Sequence, residues 1–211
     1  MNFYHKYLFP KLLDLTMKRQ GMEKLRPDVI HKAFGTVLEI GFGSGLNLPY
    51  YTHILKLYAL DPSSELYDLA KKRISKASFS IEYIQASAED IPLPPNSIDT
   101  VISTWNLCSI PHPESALKEI YRVLKPDGKF IFIEHGKSPR KSVAQWQKWL
   151  TPISKRLAGG CHINRKIDNL ITDAGFEIQN LKTFQQKSTP LMFMYTGVAV
   201  LKIGASNNIM L

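Results

Sequence analysis

Short apolar runs alternate with amphipathic segments along most of the chain. The clearest run contains Val37, Leu38 and Ile40, and its composition predicts a strand buried on both faces. Similar runs predict six further strands, at 56–61, 80–85, 96–103, 129–134, 176–184 and 195–203. Apolar residues at three- and four-residue spacing predict helices at 65–76, 115–124, 142–157 and 166–174, with a short or irregular helix at 47–53. Ser63 or Ser64 is the predicted cap of the 65–76 helix.

The first 31 residues show a helical pattern of their own. Apolar residues recur at helical spacing, with a break near Gly21 and an end before Pro27. Lysines and arginines occupy much of the opposite face. The pattern is typical of a helix that packs on a domain and has a solvated face. Two other interpretations stay open: a flap over a pocket that Tyr4 or Tyr7 enters, and a basic surface that rests on lipid.

A glycine-rich loop follows the strand that contains Val37. Gly41, Gly43 and Gly45 alternate with other residues, and glycine is needed where a backbone turns sharply or passes close to a ligand. A dinucleotide-binding fingerprint requires glycine where this chain has Leu46, and no Gly-Lys-Ser/Thr of a phosphate-binding loop follows. A nicotinamide-dependent oxidoreductase is therefore disfavoured. The simplest alternative is a glycine-rich turn that only joins a strand to a helix.

Two carboxylates accompany this loop. Glu39 lies two residues before Gly41, and an acidic residue there suits a positively charged ligand better than one with a pyrophosphate. Asp61 ends the second predicted strand, sixteen residues after Gly45. In a doubly wound sheet this position lies beside the glycine loop, where a carboxylate can accept hydrogen bonds from both ribose hydroxyls. The combination predicts a site for a ligand that contains ribose.

Composition narrows the chemical and cellular possibilities. At 211 residues and 44% hydrophobic, the chain is long enough for one domain with a substantial core. Its formal net charge of +9 is compatible with an anionic lipid, a nucleic acid or an acidic small molecule as binding partner, and the charge alone does not distinguish these partners. Cys108 and Cys161 are too few for a disulfide framework and lack the spacing of a zinc site, so we predict no metal and a reducing compartment. We recognise no signal peptide or spanning segment and expect a cytoplasmic protein.

Four motifs resemble the class I S-adenosylmethionine-dependent methyltransferases of the "type 11" kind. The segment 39–45 resembles their first motif, 86–94 their adenine-binding loop, 96–103 the entry into their fourth strand, and 122–128 their signature turn. The resemblance covers residues 36–203. It implies an α/β, Rossmann-like fold with a seven-stranded, mostly parallel sheet, an antiparallel last strand and helices on both faces. It also implies S-adenosylmethionine as cofactor and S-adenosylhomocysteine as product.

The resemblance also implies which residues bind the cofactor. The methionyl part is expected against the glycine loop, the ribose on the carboxylate after the second strand, and the adenine beside the 86–94 loop. Ser87 stands where many members have an acidic residue that accepts from the adenine amino group, so that base-reading role is not carried over. The implied set is Glu39, Gly41, Gly43, Gly45, Asp61, Pro62, Ser87, Ala88, Glu89 and Thr104.

A narrower likeness connects the chain with the alkyl thiol S-methyltransferases of animals. The shared motifs are Leu107-Cys-Ser, Glu134-His, Trp146-Gln-x-x-Leu and Gly160-Cys-His-Ile-Asn-Arg. They imply a small lipophilic acceptor, with a thiol first and a phospholipid amine or a quinone precursor as alternatives. The animal proteins carry a hydrophobic, membrane-anchoring N-terminus that we do not find in this sequence, so their localisation is not carried over.

Catalytic and substrate-binding candidates lie where the reactive centre is expected. His135 ends the fifth predicted strand and is the candidate to accept a proton from a thiol, because imidazole titrates near neutral pH. The alternative is a strand-end histidine that bonds to a neighbouring loop. Cys161 and His162 are second candidates, on a lid predicted at about 140–165. The predicted substrate-binding set is Tyr7, Asn106, His135, Trp146 and His162.

The predicted organisation has a helical flap at 1–31, a methyltransferase domain at 32–204 that includes the lid, and a tail at 205–211. The expected partner is a small-molecule or lipid substrate, with peripheral membrane contact through the basic N-terminal helix as a hypothesis. Nucleic acid is not expected, because base recognition requires more exposed aromatic residues among the basic ones. The alternative of another class is a non-catalytic S-adenosylmethionine-binding protein that regulates a partner.

Overall fold

The computed structural model describes residues 8–18, 20–186 and 189–202. Within these ranges, one sheet contains β1 (Phe34–Ile40), β2 (His53–Leu60), β3 (Ser80–Ile84), β4 (Ile98–Thr104), β5 (Leu124–Gly136), β6 (Phe176–Gln185) and β7 (Phe193–Leu201). The helices are α1 (Phe9–Met17), α2 (Gln20–Glu23), α3 (Pro27–Ile30), α4 (Ser64–Ile74), α5 (Pro113–Val123), α6 (Lys141–Leu157) and α7 (Ile167–Asp173).

The strands follow the order β3-β2-β1-β4-β5-β7-β6, and β1 to β5 are parallel. β7 runs antiparallel to both β5 and β6, so the predicted antiparallel last strand is confirmed. The order reverses between β1 and β4, because the chain adds strands first on one side of β1 and then on the other. Open α/β sheets bind ligands at such a reversal, beside the carboxyl ends of the strands.

Helices cover both faces of the sheet, as predicted. Ile131 lies in one buried cluster with residues of α3 and α4, and its neighbour Phe130 lies in another with residues of α5 and α7. Neighbouring residues of a strand point to opposite faces, so both faces of the central strands are buried. This burial explains why the central strands appear in the sequence as continuous apolar runs.

Most predicted elements are present, and the differences have local causes. Pro27 begins α3 where the prediction ended a helix, because the first helical position needs no N–H donor. The predicted helix at 47–53 is reduced to a single 3₁₀ turn, Leu48–Tyr50. The cap of α4 is confirmed as Ser63, which accepts a hydrogen bond from the Leu66 N–H at 3.2 Å.

The orientation of α6 differs from the prediction. The prediction placed Trp146 of the lid among the substrate-binding residues, whereas the structure leaves Trp146 and Trp149 on this helix 55% and 59% exposed. α6 instead buries Gln147, whose Nε2 donates to the carbonyl oxygens of Gly136 and Leu191 at 2.9 Å each. A buried amide needs its hydrogen-bond partners, so these bonds decide which side of α6 faces inward. The predicted inward side of this helix was wrong.

Candidate functional site

A cleft of about 330 Å³ opens at the carboxyl ends of β1, β2 and β4. Loops after these strands form one wall, which we call the sheet wall. The opposite wall, which we call the helix wall, includes Leu13, Asp14 and Met17 of α1 and the residues Ala158 and Gly159 after α6. The cleft therefore lies where the strand order reverses, which is where ligands bind in this class of sheet.

The glycine loop brings bare backbone to the sheet wall. Gly41 has a φ of 64°, and a Cβ there would lie 2.4 Å from Cγ of Asn106. Gly43 has a φ of 57°, but the nearest described atom to a Cβ there would be the Gly41 carbonyl oxygen, at 3.8 Å. Positive φ favours glycine at both positions, and only Gly43 leaves space for a ligand. Gly45 packs against Phe42 and does not line the cleft.

Asp61 connects the loop after β2 to the glycine loop. Its Oδ2 accepts from the Gly43 N–H and its Oδ1 from the Ser63 N–H, both at 2.8 Å. Burial raises the pKa of Asp61 above its ordinary value, although the two backbone donors act in the opposite direction. Because each carboxylate oxygen can accept more than one hydrogen bond, Asp61 can still bind hydroxyl groups of a ligand.

Glu39 belongs to a buried polar network at the sheet wall. Its Oε1 accepts from Asn47 Nδ2 at 2.8 Å, and its Oε2 accepts from the Tyr51 hydroxyl at 2.6 Å. The same Asn47 nitrogen donates to Thr104 Oγ1 at 3.1 Å, and the Arg26 guanidinium donates to the Asn47 amide oxygen. Burial raises the pKa of Glu39 to about 7, against the effect of these bonds and of the Arg26 charge. The network holds β1, β4 and the N-terminal segment together.

A second buried carboxylate shapes the loop after β4. Glu134 Oε1 accepts from the N–H groups of Asn106 and Leu107 at 3.0 and 3.1 Å. Trp105 in this loop has a φ of 52°, and its ring centroid lies 4.8 Å from the Arg26 guanidinium. The Trp105 Nε1 is buried and has no hydrogen-bond partner among the described residues. The Trp105 residue lines the cleft, but its Nε1 is shielded from solvent and is not open to a ligand in this structure.

Comparison with known proteins agrees with this geometry. A family model described as "Methyltransferase domain" matches residues 38–132. The chain is 36% identical over 149 residues to thiol S-methyltransferase TMT1B of Rattus norvegicus. The aligned residues cover 68% of this chain and 61% of that protein. Phosphatidylethanolamine N-methyltransferase of Cereibacter sphaeroides is 27% identical over 146 residues, which cover 68% of this chain and 71% of the relative. The chain belongs to the class I S-adenosylmethionine-dependent methyltransferases.

The methyltransferase chain also resembles solved structures. Its fold is similar to that of geranyl diphosphate methyltransferase in complex with SAM, with a TM-score of 0.70 at 13% identity, over 91% of this chain and 88% of the other. At this identity the likeness concerns the fold alone. The predicted cofactor, S-adenosylmethionine, is confirmed by the family membership. The chain spans 61% of the length of the rat thiol S-methyltransferase and 66% of the human one.

Most of the predicted cofactor-binding residues of the methyltransferase line the cleft. Glu89 does not, because its Oε1 accepts from the His112 N–H at 2.6 Å, at the start of α5. Gly45 is also outside the lining, as described above. The contacts of the lining residues with the cofactor stay a prediction. The predicted residues that line the cleft are Glu39, Gly41, Gly43, Asp61, Pro62, Ser87, Ala88 and Thr104.

The predicted substrate-binding residues are dispersed over the molecule. Asn106 lines the cleft, whereas Trp146 lies on the exposed side of α6. His162 lies in a separate basic groove on the surface. Burial lowers the pKa of His162, and the positive charges of Arg165 and Lys155 lower it further. The predicted role of Tyr7 lies outside the described residues. Of the members of this group that the structure describes, only Asn106 therefore lines the cleft.

His135 is buried outside the cleft. It is 6% exposed, and its Nε2 lies 3.1 Å from Sγ of Cys161. Burial opposes its charged form, but the Cys161 sulfur and the Glu134 carboxylate raise the pKa of His135 above its ordinary value. The predicted position at the cleft edge was wrong, because the fold brings Cys108 and Cys161 to this imidazole. A role as general base in the cleft therefore has no geometric support.

Several residues of the site carried little signal in the sequence. Arg26, Asn47 and Tyr51 join the Glu39 network from segments that show no recognisable motif. The one available signal was Asn47 itself, a polar residue two positions after the glycine loop, among apolar neighbours. Its amide donates to both Glu39 and Thr104, which follows only from the pairing of β1 with β4.

Proposed function

We propose that this chain transfers a methyl group from S-adenosylmethionine to a small lipophilic acceptor. The observation that carries the proposal is the contrast between the two walls of the cleft. The sheet wall presents bare backbone at Gly43 and the carboxylate of Asp61, whereas the helix wall presents apolar side chains such as Leu13 and Met17. A cleft with polar groups on one wall and mainly apolar side chains on the other suits a charged cofactor beside a nonpolar acceptor.

The sheet wall fits the cofactor group by group. The methionyl part would lie against the glycine loop, because the nearest described atom to a Cβ at Gly43 would be 3.8 Å away, which leaves space there for a ligand. Asp61 would accept hydrogen bonds from the ribose hydroxyls, and Ala88 would border the adenine. When bound, S-adenosylmethionine supplies an electrophilic methyl group on a sulfonium.

The residues of the cleft contribute alignment and exclusion of water, without a dedicated base. Alignment of two reactants supplies on the order of 7–11 kcal/mol. The carboxylates of Asp14, Glu39 and Asp61 line the cleft, and both oxygens of each are held by hydrogen bonds or ion pairs. No histidine of the described residues lines the cleft. The acceptor would therefore lose its proton to solvent.

A thiol is the first candidate acceptor. The thiol S-methyltransferases of rat and human are 36% and 32% identical to this chain, against 27% for the phosphatidylethanolamine N-methyltransferase. A phospholipid amine and a quinone precursor are the alternatives, since a ubiquinone/menaquinone biosynthesis C-methyltransferase is 28% identical. The alternative of another class is a non-catalytic S-adenosylmethionine-binding protein.

Transfer of a labelled methyl group tests the proposal. The panel contains an alkyl thiol, phosphatidylethanolamine vesicles, a quinol and RNA, and we expect label in the thiol. Without a protein base, the rate should rise with pH until the thiol's own pKa, about 8.5 for a simple thiol. Label in no acceptor, with S-adenosylhomocysteine binding shown by calorimetry, would support the non-catalytic alternative. A rate profile with the same pKa for thiols of different acidity would contradict the absence of a base.

We also infer that the helix wall approaches an anionic lipid surface. No helix in the described part of the chain is long and apolar enough to cross a membrane. Exposed apolar side chains nevertheless lie on α1, which lines the cleft, and on α6, which leads into the cleft residues Ala158 and Gly159. Lysines lie on or directly next to the same helices, which is the composition of a surface-bound helix. These residues are Leu12 and Leu15 on α1, beside Lys11 and Lys18, and Trp146, Trp149 and Ile153 on α6, beside Lys148 and Lys155.

Sedimentation with vesicles tests this contact. The wild type should bind vesicles that contain phosphatidylglycerol more strongly than pure phosphatidylcholine vesicles, and salt should weaken the binding. The double variant Trp146→Ser/Trp149→Ser should lose most of it. Leu55→Ser is the matched control, because Leu55 is 77% exposed on β2, away from both helices. Equal binding of the wild type and the double variant would contradict the contact through α6.

A further inference from the structure

Three buried side chains with metal-binding atoms meet outside the cleft. Sγ of Cys108, Nε2 of His135 and Sγ of Cys161 all lie within 4.8 Å of one another. The three residues are 1%, 6% and 7% exposed, in that order. They belong to the loop after β4, the end of β5 and the connection between α6 and α7. None of the three lines the cleft, so the proposed methyl transfer does not use them.

The distances and the ligand types suit a zinc ion. Zn²⁺ binds sulfur at about 2.3 Å and imidazole nitrogen at about 2.0 Å, so tetrahedral sulfur and nitrogen ligands stand roughly 3.5 Å apart and two sulfurs roughly 3.8 Å apart. His135 Nε2 and Cys161 Sγ are 3.1 Å apart, so small side-chain shifts bring the atoms to these separations. Two sulfurs and one imidazole favour zinc over calcium or magnesium, which prefer oxygen ligands.

Backbone contacts hold the two cysteine segments together without a metal. The Cys108 carbonyl oxygen accepts from the N–H of His162, the residue after Cys161, at 2.8 Å. Arg165 Nη1 donates to the carbonyl oxygen of Ile110 at 2.8 Å, which adds a second link between the same segments. Because the ligand backbones are already in place, metal binding would order little additional chain.

The charge of the cluster also suits a divalent cation. On binding, the two thiols release their protons to solvent, and two Zn–S bonds form. A Zn²⁺ ion with two thiolates and one neutral imidazole has no net charge. A neutral complex is what a buried site requires, since an uncompensated charge there is costly.

We propose that Cys108, His135 and Cys161 bind Zn²⁺, with water in the fourth position. The ion ties the loop after β4, which carries the cleft residue Trp105, to the segment after α6, which carries the cleft residue Gly159. It stabilises the wall on which the acceptor would bind. The site is distinct from the cleft and does not depend on the proposed methyl transfer.

Metal content tests the proposal on the full chain. Protein reduced with a phosphine receives equimolar Zn²⁺, passes a desalting column that contains a weak chelator, and is measured by mass spectrometry of the metal. We expect about one Zn²⁺ per chain, and at least a tenfold lower content in Cys108→Ser, Cys161→Ser and His135→Ala. His162→Ala is the matched control, because His162 directly follows Cys161 but lies outside the cluster; it should keep the wild-type content.

A cobalt spectrum and a cofactor titration complete the test. Co²⁺ in the wild type should give sulfur-to-metal charge-transfer absorption, which either serine variant weakens. Calorimetry with S-adenosylhomocysteine shows whether a variant is folded with an intact cleft, independently of its metal content. Failure of the metal site is therefore distinguishable from failure of the proposed function. Reduced wild type that binds S-adenosylhomocysteine but retains no Zn²⁺ overturns the proposal. Equal Zn²⁺ retention by the ligand variants, or a Cys108–Cys161 disulfide with no Zn²⁺ binding after reduction, also overturns it.

Discussion

The two walls of the cleft are built by different kinds of interaction. On the sheet wall, Glu39 and Asp61 are almost fully buried and bond to a tyrosine, an asparagine and backbone N–H groups. On the helix wall, Leu13 and Met17 are half-buried apolar side chains of a short helix, and Asp14 holds that helix through a partly exposed ion pair with Arg73. Buried directional bonds permit one geometry, whereas apolar contacts accept several shapes.

This difference matches the two tasks of a methyltransferase. The cofactor is common to the family, so a wall with one fixed geometry can serve every member. The relatives' names refer to a thiol, to phosphatidylethanolamine and to ubiquinone/menaquinone biosynthesis, so acceptors differ among the relatives. In the proposed function the helix wall contacts the acceptor, so this wall is the one whose shape can differ. Substitutions on the sheet wall should therefore change cofactor binding strongly, and substitutions on the helix wall should change acceptor use moderately.

The largest effect is expected from Asp61→Ala. This change removes the acceptor of two backbone N–H groups and, in the proposed function, of two ribose hydroxyls. Hydrogen bonds to a charged group contribute about 1.5–3 kcal/mol each, so we expect a loss in S-adenosylhomocysteine affinity of roughly a hundredfold. Calorimetry measures the change. Asp68→Ala, at an exposed carboxylate of α4, is the control and should bind normally. If Asp61→Ala binds S-adenosylhomocysteine within threefold of the wild-type affinity, Asp61 does not contribute to cofactor binding.

The buried Glu39 should make stability depend on pH. Burial raises the pKa of Glu39 from an ordinary 4.5 to about 7, so the folded chain holds this proton more tightly than the unfolded chain. The resulting stabilisation is complete below pH 4.5 and is lost as pH rises through 7. It amounts to about 3 kcal/mol in the free energy of unfolding.

Denaturant titrations between pH 4 and 8 check this dependence. In Glu39→Gln the decrease in stability with rising pH should be smaller than in the wild type, although Asp61 and Glu134, whose pKa values burial also raises, keep part of it. Glu82→Gln, at an exposed carboxylate paired with Lys56, is the matched control and should keep the wild-type slope. Identical slopes in wild type and Glu39→Gln would show that Glu39 is not the group responsible.

Two alanine variants test which glycine of the loop is required for close packing and which one leaves space for a ligand. In both Gly41→Ala and Gly43→Ala, the positive φ of the new alanine lowers the free energy of unfolding by about 1–2 kcal/mol. Only Gly41→Ala also places a Cβ 2.4 Å from Asn106, so it should lower the melting temperature more. Gly43→Ala should lose cofactor affinity, because its Cβ occupies the space available to a ligand. Thermal melts and calorimetry of both variants check this; equal loss of stability in the two would contradict the assignment.

The smallest effect is expected on the helix wall. Met17→Ser should raise the KM for a lipophilic thiol about three- to tenfold, because a serine loses apolar contact worth roughly 1 kcal/mol, while cofactor affinity stays unchanged. Leu15→Ser is the matched control on the same helix, since Leu15 is 65% exposed and does not line the cleft. Steady-state kinetics with a water-soluble thiol measure both. Equal KM values for the two variants would place the acceptor elsewhere.

The glycine loop and Asp61 of the sheet wall were predictable because their signals are local. Gly41 and Gly43 must be glycine for backbone reasons, and Asp61 follows its strand directly, so residue type and spacing along the chain were sufficient. The parallel strands then bring these neighbouring tips together in a way that the fold class requires. The helix wall was less predictable, because the pattern of α6 does not show that Gln147 must be the buried residue.

The sequence by itself determined the strands, the order of the elements and the residues that would meet at the strand tips, because periodicity and glycine conformation are properties of short segments. Only the tertiary structure decided which side of α6 is buried, that His135 lies outside the cleft, and that Cys108 and Cys161 lie beside its imidazole. These outcomes depend on contacts between segments that are distant in the chain. Such contacts are selected by packing and by satisfaction of buried polar groups, neither of which has a period or a spacing.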